Sequence, residues 1–140
     1  MNWPERVIFS ALLVIGICGL LACPVLFFST SHIESWHLAL LGEPLLTSPI
    51  LLYLIRSLSM FYVLSSLFTL ALARNLRRYR VLIQFWSFLA IVKGIVMLSI
   101  DQQLPFPGWW TLIEGPSSIC LGSVMLLLSP FIQSETPKTV

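Results

Sequence analysis

The chain has 140 residues, the length of one domain; 57% of them are hydrophobic, only 10% are charged, and the formal net charge is +2. An ordinary soluble domain carries about 25% charged residues, so this composition cannot coat a water-facing surface, and the missing surface must face lipid. The small net charge gives no footing for a nucleic-acid partner.

Four apolar stretches, at 7–28, 49–73, 81–100 and 109–132, each approach the length of roughly 20 residues that a bilayer-spanning helix needs. They predict an all-α chain, a four-helix integral membrane bundle in which residues 1–140 form a single membrane domain. The first stretch holds no charge. Leu20, Leu21, Ala22 and Cys23 resemble a lipoprotein cleavage box, but the residues before the stretch are poorly basic and Pro24 follows the cysteine. A signal peptide wants a basic start and a shorter apolar core, so this stretch is expected to stay as a span. Gly16, Gly19 and Cys23 form a small-residue stripe suited to close helix contact.

The connection 29–48 carries its own helix signal. Ser31 and Glu34 have capping-box spacing, Ile33, Trp36 and Leu40 share one face, and Gly42 and Pro44 are stop signals. The expected element is a short helix lying on the membrane surface, with Trp36 as interfacial anchor. His32 and His37 lie in this connection, but their spacing does not stack two ligands on one helix face. No metal site and no cofactor are expected.

The second stretch is interrupted by Arg56 and the third by Lys93. A basic residue at a helix centre costs about 2.5–3.5 kcal/mol, whereas the Leu, Ile, Phe and Val residues return roughly 4–8 kcal/mol in the second stretch and about 4–7 in the third. Both are expected to insert. Between them lie Arg74, Arg77, Arg78 and Arg80, half of the chain's basic residues. By the positive-inside rule this turn is cytoplasmic. Both termini are then inside, and 29–48 and 101–108 outside.

The fourth stretch is poorer in large apolar residues and contains Glu114, Gly115, Pro116, Ser117 and Ser118. It is expected to depend on its neighbours for insertion. Pro116 removes a backbone donor and clashes with the carbonyl of Leu112, which predicts a kink or break. Trp109 and Trp110 are placed at the outer interface. A short internal repeat links Pro49 and Arg56 with Pro107 and Glu114: in each, Leu-Ile precedes a charge at the same distance from a proline.

Helix arithmetic puts Arg56 roughly 10 Å, Lys93 roughly 12 Å and Glu114 roughly 8 Å from the outer ends of their helices. Three charges therefore share one depth, with Asp101 at the mouth. Intramembrane charges are expensive unpaired and mark function by default. The expected pairs are Arg56 with Glu114, and Lys93 shared between Glu114 and Asp101, with Tyr53, Ser59, Ser117 and Ser118 as supporting polar neighbours. The cluster reads either as a lock between helices or as a site for an anionic or polar group. Cys18, Cys23 and Cys120 fall in apolar runs without a C-x-x-C pair and read as small packing residues. No phosphate-binding glycine loop, nucleophile elbow or zinc-protease motif is present, so no enzyme activity is expected.

The segment 54–128 resembles small bacterial four-helix membrane proteins of the DoxX-like group. Carrying the resemblance are Arg56, Phe61 with Tyr62, the Arg-rich turn 74–80, Lys93 with Gly94, Asp101 with Pro105, and Glu114. Where that group usually shows arginine this chain has Lys93, and where it has more glycines this chain has Ser57, Ser59 and Ser65. The resemblance implies a four-helix bundle in the bacterial inner membrane and no established reaction; some members look like accessory subunits of redox systems. Three functions compete: a non-enzymatic accessory or interaction subunit, a small-molecule carrier using the charge cluster, and a component of a membrane redox system. The expected partners are the lipid bilayer and another membrane protein or a second copy.

Overall fold

The computed structural model describes residues 1–46, 48–103 and 107–133. The chain is all-helical, and no strand occurs among the described residues. Five α-helices follow in order: α1 Trp3–Leu20, α2 Thr30–Leu41, α3 Pro49–Ala73, α4 Arg80–Asp101 and α5 Gly108–Leu128. Short 3₁₀ turns at Cys23–Leu26 and Ser129–Phe131 extend the first and last long helices. Among the described residues four segments are long and apolar enough to cross a membrane: Trp3–Leu26, Pro49–Ala73, Arg80–Asp101 and Gly108–Phe131. The all-α class and the four long apolar helices agree with the sequence reading.

The boundaries have local causes. α1 starts earlier than the apolar run, because Asn2 and Glu5 form a capping box. Asn2 Oδ1 accepts from the Glu5 backbone N–H at 2.9 Å, and Glu5 Oε2 accepts from the Asn2 N–H at 3.1 Å. It stops at Leu20, and Pro24 lies in the first turn of the 3₁₀ segment that follows. α2 is the expected short helix, but its cap is Ser29, not Ser31. The Ser29 hydroxyl accepts from the His32 N–H, and Ser31 lies inside the first turn, so the Ser31–Glu34 capping box does not form. Gly42 ends α2 in the left-handed region at φ 76°, where a Cβ would be strained. α3 opens on Pro49, with the Ser48 hydroxyl accepting from Leu51 N–H at 3.2 Å. α5 runs through Pro116 without a break. Only one backbone donor is lost there, and the flanking Gly115 and Ile119 pack directly on α4.

The chain divides into two compact units, residues 14–70 and residues 1–13 with 71–140. The second of these is built on α4 and α5. Ser87, Gly94 and Asp101 recur every seven residues on α4, as do Gly108, Gly115 and Gly122 on α5 and Ser129 at its C-cap. All of them except Gly108 are buried. A Cβ on Gly94 would come within 2.7 Å of the Gly115 carbonyl oxygen, and one on Gly122 within 2.7 Å of the Ser87 carbonyl oxygen. The two helices therefore run antiparallel with backbones nearly touching, an arrangement typical of membrane helices, where small residues admit close van der Waals packing. Ile8, Leu12, Leu72, Leu76, Ile83, Met125 and Ile132 fill the rest of this unit's core.

In the 14–70 unit, Gly16 and Gly19 lie against α3. A side chain at Gly16 would meet Leu70, and one at Gly19 would meet the Ser66 hydroxyl. The glycines of the expected small-residue stripe thus do make a close contact. Ser59, Ser66 and Thr69 are buried and return their hydroxyls to the carbonyls of Ile55, Tyr62 and Ser65 on their own helix. A hydroxyl satisfied in this way needs neither water nor a partner helix.

Candidate functional site

The sequence-expected charges divide between the units: Arg56 belongs to 14–70, and Lys93, Asp101 and Glu114 to the other. Lys93 and Glu114 immediately precede Gly94 and Gly115, which touch. They therefore occupy one level of the α4–α5 pair, Lys93 exposed and Glu114 half-buried, and both take part in polar or electrostatic contacts. Asp101 sits two turns farther along α4, about 12 Å from Lys93. It is only 3% exposed, and its Oδ2 has no hydrogen-bond partner. Lys93 does not bond that oxygen, from which two turns of unbroken helix separate it. Asp101 is buried because it occupies the third position of the α4 small-residue seam. Pro105, which follows it in the DoxX-like pattern, lies outside the described residues.

Arg56 is exposed on α3 and donates from Nη2 to the Phe28 carbonyl at 3.2 Å. Tyr53 lines the same open groove, whereas Ser59 is buried elsewhere on the helix. On α5, the exposed Ser117 donates to the Glu114 carbonyl at 3.2 Å, and Ser118 is half-buried. The proline-to-charge repeat has a structural counterpart: Pro49 opens α3 and Pro107 is the N-cap of α5, so Arg56 and Glu114 both stand two turns in. Trp109 and Trp110 pack edge to face at 5.5 Å between centroids. Cys18 and Cys120 are exposed and Cys23 half-buried, so the first two do not serve as packing residues of a core. His32 bonds Ser29 at 2.7 Å and His37 the Glu43 carbonyl at 2.9 Å. Among the described residues no three His, Cys, Asp or Glu side chains group as metal ligands.

One ionic centre was missed by the sequence reading. Glu5 is 1% exposed, and Arg77 grips it from Nε at 3.1 Å and Nη2 at 3.5 Å. The Met1 ammonium lies 3.8 Å from the same carboxylate, and the Asn2 amide donates to the Phe131 carbonyl at 3.2 Å. Chain start, arginine turn and the end of α5 are thereby tied together. Arg77 is thus a structural partner besides being a member of the basic turn. The capping-box pattern of Asn2 and Glu5 was the available signal for half of it; the arginine was hidden among four.

No family model matches the chain, and no curated protein or solved structure matches it.

Proposed function

We propose that the chain is a multi-pass protein of the bacterial inner membrane, with both termini cytoplasmic, that acts by binding rather than by catalysis. In this reading it is an accessory or interaction subunit of DoxX-like type, and its partner is another membrane protein or a second copy of itself. The observation that carries the proposal is the distribution of apolar side chains. Ile17, Leu58, Phe61, Ile95, Leu112 and Leu127 on the four long helices are all outward and exposed, and they belong to a set of exposed large apolar residues that outnumbers the buried ones. Such a surface is insoluble in water and suited to lipid and to other apolar helices.

A second reading, a small-molecule carrier, draws on the unpartnered Oδ2 of buried Asp101. Native mass spectrometry of the full chain in mild detergent separates the two. A subunit is expected as a defined complex or oligomer with no bound molecule other than lipid. A monomer carrying a stoichiometric water-soluble molecule would replace it with the carrier.

A further inference from the structure

Pro49, Leu52, Tyr53, Arg56, Ser57 and Met60 recur at three- and four-residue intervals along α3 and line one open concavity of about 530 Å³. We propose that this face binds an anionic phospholipid, its phosphate on the Arg56 guanidinium and its acyl chain running inward past Met60. The inference rests on the chain being membrane-embedded.

Three observations converge. First, the guanidinium offers five N–H donors in a planar fork. One nitrogen is used, on the neutral Phe28 carbonyl, and among the described residues no carboxylate of the same unit pairs with it. A cation with only a neutral partner in an apolar setting is short of counter-charge. Second, the depth fits a headgroup. α3 has 25 residues and is about 37 Å long, about 7 Å more than the hydrocarbon core. Arg56 enters roughly 10 Å from its start, and its side chain is drawn to Phe28, which lies just past the end of the Trp3–Leu26 segment. This is the snorkelling geometry that brings a long basic side chain to the interface. Third, the His32 and Trp36 rings both lie tilted against Phe28, with centroids 5.9 and 6.2 Å from it. Aromatic belts of this kind mark headgroup level.

The composition of the groove selects the ligand. Met60 continues this α3 face one turn deeper than its single cation, which matches an amphiphile with charge above and chain below. A free anion would leave Met60 uncovered. A zwitterionic headgroup would bring an ammonium to a groove that contains no acid.

The test uses the full chain in nanodiscs of mixed phosphatidylglycerol and phosphatidylcholine, transferred to mild detergent for native mass spectrometry of retained lipid. The wild type is expected to retain phosphatidylglycerol in preference to phosphatidylcholine. Arg56→Gln should reduce retention at least about tenfold, and Arg56→Lys less, since a lysine keeps the charge but not the fork. If Arg56→Gln does not fold, Met60→Glu decides. It leaves the arginine in place, puts a carboxylate one turn away and should abolish retention. Equal retention of the two lipids, or displacement of phosphatidylglycerol by millimolar glycerol phosphate, would overturn the proposal. Carbonate extraction is run beside it. Release of the wild type into the soluble fraction would instead overturn the membrane reading on which it rests.

Discussion

Removing Arg77 should cost more than removing the charge of Glu5. The carboxylate is 1% exposed, whereas the arginine side chain is 42% exposed. Arg77→Ala therefore leaves the carboxylate to the Asn2 N–H at 3.1 Å and the Met1 ammonium at 3.8 Å. Losing the charged hydrogen bonds of so buried an acceptor costs about 2–3 kcal/mol. Glu5→Gln leaves an arginine that can turn to solvent, and the glutamine still completes the capping box with Asn2. The expected cost is about 1–2 kcal/mol, a charged hydrogen bond discounted for the exposure of one partner. The double variant should cost less than the sum of the singles, with a coupling of about 0.5–3 kcal/mol. Unfolding in mixed micelles titrated with SDS, followed by tryptophan fluorescence, gives all four corners of the cycle. Equal costs for the two single variants, or coupling within error of zero, would refute the idea that this pair ties the chain start to the arginine turn.

The α4–α5 seam makes a graded prediction: Gly94→Val and Gly122→Val, which meet backbone oxygens, should each lose about 1–3 kcal/mol in the same titration. Gly108→Ala, with nothing within 4 Å of its Cβ, should change stability little. Reporter fusions after Gln133 should read as cytoplasmic and those at His37 as external; an external C-terminus would remove the orientation drawn from the arginine turn. Residues 105–134 expressed alone behind a leader should insert poorly and gain when 81–100 precede them, because α5 packs on α4 through Gly115 and Gly122; efficient insertion alone would show that Glu114 needs no neighbour.

The helices were legible because apolar runs near the span length leave few alternatives, and prolines and glycines mark their ends. Pro49 opens α3 and Gly42 closes α2 as the sequence suggests. The cap of α2 was misplaced by two residues because serines stand at 29 and 31, and only backbone geometry decides which one faces the free N–H groups. The break at Pro116 was over-read. Proline signals a missing donor, but whether a helix parts there depends on what holds its flanks, here the glycine contacts with α4. Lys93 and Glu114 could be levelled by counting residues, but Asp101 could not be oriented by counting. Its burial follows from the seven-residue seam, a pattern readable in Ser87, Gly94, Gly115 and Gly122 once both helices are compared.

That seam says where the α4–α5 pair is free to do something other than pack. At the Ser87–Gly122 and Gly94–Gly115 levels the backbones are within contact distance, and any side chain would force them apart. One heptad on, the small residue of α4 is replaced by Asp101, and Gly108 at the start of α5 faces open space. A carboxylate cannot serve a seam that works by absence of side chains. It gives up close packing and brings a buried oxygen with no donor. Such a group costs free energy that an alanine or glycine would not. The packing requirement of the pair is therefore met by its first two levels, and the third carries a residue that packing alone would not select. It follows that Asp101→Ala should leave the pair as stable as the wild type or stabilise it, measured by SDS titration. A large loss of stability would show that the carboxylate is held by a group essential to the fold.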